Sequence, residues 1–163
     1  MKHREIKYIF PKDTKKLVFG LDNIDISWPY IICFEGVYDS LFVKNGIATG
    51  TKSISEYQYK LISERYPHHT IVASFDNDKP GLCSYIKCIK QNRKLKYFKW
   101  FNINTKQKDI NDYVLAKGNV NIFTDTKKLE RLIVDDLLMK LYLVENGLWN
   151  LKETVNDKNT SRK

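Results

Sequence analysis

Apolar residues in this chain gather in short runs separated by polar and turn residues. Tyr30-Ile31-Ile32-Cys33-Phe34 and Thr70-Ile71-Val72-Ala73-Ser74-Phe75 are continuous runs of the length that fills a buried strand. Gly46-Ile47-Ala48-Thr49 predicts a second, brief strand, and Leu95 to Phe101 a fourth. Helical spacing lies between them. Val37 to Val43 predicts a short helix with Leu41 and Phe42 turned inward, and Ser53-Ile54-Ser55-Glu56 fits a capping box. The helix it opens carries Tyr57, Leu61 and Ile62 and stops before Pro67. Leu82, Tyr85, Ile86 and Ile89 mark a third helix, and a further short one ends near Gly118. The repeated alternation predicts an α/β fold, a Rossmann-type sheet of about four mostly parallel strands flanked by helices.

Around this central domain, residues 30–118, the pattern changes. Residues 1–29 read as a lead-in with two short strands in a hairpin-like arrangement, Ile6 to Phe10 and Leu17 to Gly20. Residues 119–151 read as a C-terminal helical extension. Its main feature is an amphipathic helix from about Thr126 to Asn146, with Leu129, Ile133, Leu137 and Leu141 at i, i+4 steps. Gly147 reads as its C-cap, with Leu148 and Trp149 packing back. Residues 152–163 show no apolar periodicity and read as a disordered tail.

Charge and cysteine content narrow the function. Among 163 residues, a formal net charge of +9 points to a polyanionic partner, most simply nucleic acid. No apolar run approaches the roughly 20 residues of a membrane span, and the N-terminus does not lead into a signal-peptide core. Three cysteines, Cys33, Cys83 and Cys88, form no CxxC pair and argue against a disulfide framework. The expected location is therefore the cytoplasm, that of a host cell if a phage encodes the chain.

The candidate chemistry sits where the strands end. The first run closes on Glu35-Gly36, with Asp39 one helical turn later; the third closes on Asp76-Asn77-Asp78 and reaches Gly81. In an open α/β sheet, ligands bind in the crevice beyond the carboxyl ends of the strands. If these two strands are parallel neighbours, Glu35, Asp76 and Asp78 converge there and repel one another unless a cation holds them. Oxygen-only ligands suit Mg²⁺ or Mn²⁺ rather than zinc. Singly, each residue has a plain structural reading. Glu35 alone is a loop carboxylate, and Asp76 and Asp78 alone are a turn and a helix cap. Their order, their placement at strand ends and a third acidic cluster at Asp109 and Asp112 favour a site.

That conjunction resembles the Toprim domain of primases, topoisomerases and some nucleases. The matching residues are Glu35-Gly36-x-x-Asp39 and Asp76-x-Asp78-x-x-Gly81, within a likeness that covers roughly residues 17–118. Glu35-Gly36-Val37-Tyr38-Asp39-Ser40-Leu41-Phe42, Asn45-Gly46-Ile47-Ala48 with Gly50-Thr51, and Lys108-Asp109-Ile110-Asn111-Asp112 look most like phage DNA primases. The resemblance implies Mg²⁺-dependent nucleotidyl transfer that makes RNA primers from NTPs on single-stranded DNA. It implies that Asp76 and Asp78 hold metal, that Glu35 is a ligand or general acid/base, and that Asp39 and Asp109 complete the shell. Asn111 and Asp112 are weaker candidates, since either can simply cap a helix.

Primases of this kind also carry a zinc-binding module and a basic subdomain. His3, His68, His69 and the cysteines offer no zinc spacing, so a separately encoded N-terminal primase module, or a replicative helicase, is the expected partner. Lys52 and Lys79 are candidates for nucleotide phosphates. Lys87, Lys90 and Lys94 are candidates for nucleic-acid phosphates, within a basic cluster that includes Arg93, Lys96 and Lys99. The interleaved Tyr97, Phe98 and Trp100 read as strand core rather than stacking platforms. A Toprim nuclease would use nearly the same carboxylates, and a non-catalytic nucleic-acid or replisome-binding module is a further alternative.

Overall fold

The computed structural model describes residues 17–91, 93–99, 106–118 and 121–150. Five strands form one sheet: β1 (Tyr30–Phe34), β2 (Gly46–Ala48), β3 (Thr70–Ala73), β4 (Leu95–Phe98) and β5 (Ile133–Val134). Their order is β2-β1-β3-β4-β5; the first four are parallel and β5 is antiparallel to β4. The connecting helices are α1 (Val37–Leu41), α2 (Glu56–Arg65), α3 (Lys79–Lys90) and α4 (Ile110–Lys117). Then come α5 (Asn121–Thr124), α6 (Thr126–Glu130) and, after β5, α7 (Asp136–Glu145). Among the described residues no helix is long and apolar enough to cross a membrane.

The strand runs are continuously apolar because the sheet is buried on both faces. Alternate residues divide between two cores. Ile31, Cys33, Ile47, Ile71, Ala73 and Tyr97 belong to one, with Tyr85, Ile89, Met139, Leu143 and Trp149 from the helical side. Ile32, Phe34, Val72 and Phe98 belong to the other, with Trp28, Ile110, Phe123, Leu129 and Leu132. Leu21 in the first core and Trp28 in the second precede β1, so residues before β1, like those after α4, contribute to both cores. Trp28 Nε1 also donates to Glu130 Oε1 at 3.0 Å.

Several local expectations are corrected. The helix expected from Thr126 to Asn146 is broken in two by β5. Ile133 and Val134, both β-branched, extend to pair with Phe98 and Tyr97, and Asp135 restarts the helix by accepting the Leu138 N–H at 3.0 Å. The i, i+4 stripe is consequently no face: Leu137 and Leu141 are exposed, while Met139 and Leu143 are fully buried. Leu41 is also exposed rather than inward, because α1 is a single short turn. The capping box sits two residues later than expected, between Ser55 and Gln58, and buried Gln58 also donates to the Thr49 carbonyl at 2.9 Å. Leu17 to Gly20 contributes only one antiparallel bridge, Phe19 to Ala48, on the outer edge of β2. The Ile6–Phe10 strand, Trp100 and the 152–163 tail lie outside the described residues.

Other expectations hold. Tyr97 and Phe98 are core residues with no exposed surface. Gly147 ends α7 at φ +68°, its N–H bonding Val144 and the next N–H, of Leu148, bonding Leu143, both at 2.9 Å. This turn returns Trp149 to the core.

Candidate functional site

The sheet order creates the cleft. From β1 the chain moves outward to β2; from β3 it moves the opposite way to β4, so the connections leaving these two adjacent strands diverge. Such a switch point opens a crevice at the strand carboxyl ends. Glu35 leaves β1 there, and Asp39 lies in the first turn of α1. Asp76 and Asp78 lie between β3 and α3, and Asp109 precedes α4. All five carboxylate residues line one cleft of about 650 Å³, together with Lys52, Lys108 and Asn111. The expected convergence is therefore present.

Each acidic loop is held by backbone geometry. Asp78 caps α3, its Oδ1 accepting the Gly81 N–H at 2.8 Å; Asp109 caps α4, accepting the Asp112 N–H at 2.8 Å. A Cβ at Gly81 would overlap the Asp76 carbonyl oxygen, so the first turn of α3 packs against the acidic loop only because residue 81 has no side chain. The loop is also tied to the segment before α4. The Asn77 N–H donates to the Lys108 carbonyl at 2.6 Å, and its side-chain amide donates to the Gln107 carbonyl at 3.2 Å.

The cation facing this cluster is supplied by the protein. Lys108 Nζ lies 2.7 Å from Asp76 Oδ2 and 3.9 Å from Asp78 Oδ2. The hydrogen bond to Asp76 holds the Lys108 ammonium above the usual lysine range, against the opposing effect of burial. Sequence reasoning gave Lys108 no role, although it immediately precedes Asp109. Its only signal is a basic residue inside an acidic segment that follows a parallel strand. The Asp39 carboxyl is pushed up to about 6. Burial raises it first, the Asn111 N–H lowers it, and the charges of Asp109 and Asp76 raise it further.

The donor set fits a hard divalent cation, since the cleft offers carboxylate oxygens and neither His nor Cys. Among the described residues, however, no group of three or more acidic, His or Cys side chains is arranged around a common point to hold a metal. The contacts explain this: Asp76 faces Lys108, Asp78 and Asp109 cap helices, and Asp39 accepts the Asn111 N–H.

The proposed basic residues separate. Lys52 lines the cleft, whereas Lys79, Lys87, Lys90 and Lys94 are exposed and do not line it. Lys90 Nζ sits over the Trp149 ring, 5.7 Å from its centre. Arg93 is a structural residue: its guanidinium donates to the Ile54 carbonyl at 2.6 Å and to Glu56 at 2.8 Å.

A family profile described as Toprim-like matches residues 32–114, just over half of the chain. The chain belongs to the Toprim-like family. The match begins inside β1, ends inside α4 and contains all five cleft carboxylates. Toprim domains are typically metal-dependent modules that process nucleic acids, and they generally bind Mg²⁺. No curated protein matches the chain at a significant level.

Proposed function

We propose that this chain is the Toprim catalytic part of a phage-type DNA primase, a Mg²⁺-dependent nucleotidyltransferase that makes RNA primers on single-stranded DNA. The observation that carries the reading is the cleft at the β1/β3 switch point, where five carboxylates meet Lys52 and Lys108 on a chain of net charge +9. Resemblance of the Glu35 and Lys108 segments to phage primases supports the subtype.

In this reading Asp76 and Asp78 hold Mg²⁺, with Glu35, Asp39 and Asp109 completing its shell directly or through water. A bound divalent ion supplies charge neutralisation at the pyrophosphate leaving group and favours deprotonation of the attacking 3′ hydroxyl. In this reading Glu35, which follows β1 and lines the same cleft, is either a ligand in that shell or the general base that accepts the proton. Lys52, which lines the cleft, meets nucleotide phosphate. Template gripping falls to a partner, a zinc-bearing primase module or a replicative helicase.

The test is synthesis from NTPs on single-stranded DNA with Mg²⁺, in the presence of such a zinc-bearing module. Short RNA from the mixture, lost with Glu35→Gln, is the expected result. DNA cleavage without NTP consumption would make the protein a Toprim nuclease instead.

A further inference from the structure

Lys108 is anchored through its main chain while its side chain reaches into the carboxylates. The Asn77 N–H and amide bond the carbonyls of Lys108 and Gln107, which fixes the residue beside the acidic loop whatever its ammonium does. The side chain is about half exposed and lines an open cleft in which it has room to turn. It meets the same two side chains, Asp76 and Asp78, that the metal reading requires. An ammonium group and a divalent ion cannot both sit a few ångströms apart on one carboxylate oxygen without strong mutual repulsion.

We propose that Lys108 is an exchangeable counter-cation: it holds Asp76 and Asp78 when metal is absent, yields them to Mg²⁺, and then binds a phosphate of the incoming nucleotide. The step is an exchange of partners. The lysine gives up one carboxylate contact, the metal takes that oxygen, and the displaced ammonium meets the next anion to enter the cleft. A lysine of this kind keeps the acidic loop assembled before substrate arrives and couples metal entry to nucleotide capture. The proposal rests on the metal reading of the cleft given above.

The two halves of the exchange have opposite signs, which a purely structural lysine would not produce. The test measures Mn²⁺ binding by electron paramagnetic resonance, then ATP binding by calorimetry at saturating Mg²⁺. It uses the full chain and its Lys108→Met, Lys108→Arg and Asp76→Asn variants, each checked for folding by circular dichroism. Lys108→Met is expected to bind Mn²⁺ tighter by about fivefold, the scale of a partly exposed ion pair, and ATP weaker by a similar factor. Lys108→Arg, which keeps the charge, is expected to bind Mn²⁺ no tighter than the parent. Mn²⁺ affinity unchanged or reduced in Lys108→Met overturns the exchange, as does unchanged ATP affinity. If the parent binds Mn²⁺ and Asp76→Asn does not, the metal reading stands whatever Lys108 does. If the parent binds none, that reading falls and the exchange with it.

Discussion

The Asn111 N–H donates to Asp39 Oδ1 at 3.0 Å, so the first turn of α4 is fastened to the first turn of α1 across the cleft. The bond links segments 72 residues apart and draws a carboxylate into a half-buried position facing Asp76 and Asp109. One hydrogen bond does not offset that desolvation, which is why Asp39 resists ionisation.

A pH dependence of stability follows. The folded-state pKa of Asp39, about 6, lies above its ordinary value of 3.8. The associated stability is therefore full below about pH 4 and is lost as pH rises through 6. In EDTA, Asp39→Asn keeps an acceptor for Asn111 and removes the charge. It is expected to exceed the parent in stability at pH 8 by about 1–2 kcal/mol, discounted for partial exposure. The gain should vanish by pH 4. Urea titrations at both pH values check this, and a difference that ignores pH would refute it.

Asp78 has separable structural and chemical roles, because one oxygen caps α3 and the other faces Lys108. Asparagine is as good an N-cap as aspartate, whereas alanine loses about 1 kcal/mol. Asp78→Asn should melt near the parent temperature yet lose Mn²⁺ binding, while Asp78→Ala should lose both. Equal melting temperatures for the two variants would show that the cap contributes nothing.

Gly81→Ala tests the close approach of α3 to the acidic loop. The added methyl meets the Asp76 carbonyl, a backbone atom that cannot swing away. A cost of about 2–3 kcal/mol is expected from the forced displacement, together with weaker Mn²⁺ binding. Thermal unfolding and metal titration measure the two effects.

What could be read in the sequence follows from where information is local. The strand runs at Tyr30–Phe34 and Thr70–Ala73 are buried on both faces, so their apolar continuity announced them, and the acidic residues closing them announced the cleft. The break at Ile133–Val134 was hidden because its cause is distant: a two-residue strand forms only because β4 offers a free edge. The i, i+4 spacing of Leu129, Ile133, Leu137 and Leu141 mimicked one continuous helix, although Asp135 stands where a new N-cap belongs. Lys108 was missed for a similar reason. Its partners, Asp76 and Asp78, lie about thirty residues away, and only the fold sets charge against charge.

The last expectation concerns which lysines meet nucleic acid. Lys79 opens α3 just after Asp78, and at 1.5 Å per residue Lys87 and Lys90 stand about 12 and 17 Å farther along that helix. A strand leaving the cleft along α3 would meet them in turn, but they are not equivalent. Lys90 and Lys140 both lie over the Trp149 ring, their ammonium groups 5.7 and 5.8 Å from its centre, whereas Lys87 and Lys94 are exposed. Lys87→Ala and Lys94→Ala are each expected to lower the slope of log K against log salt for single-stranded DNA by about one, with folding unchanged. Lys90→Ala should change that slope less and lower the melting temperature slightly, through loss of its contact with Trp149. Lys52→Ala, inside the cleft, should weaken nucleotide binding as well as DNA binding. Fluorescence anisotropy over a range of salt concentrations distinguishes these outcomes. Slopes unmoved by Lys87→Ala and Lys94→Ala together would exclude α3 as the path of the strand and leave the cleft lysines as the only supported phosphate contacts.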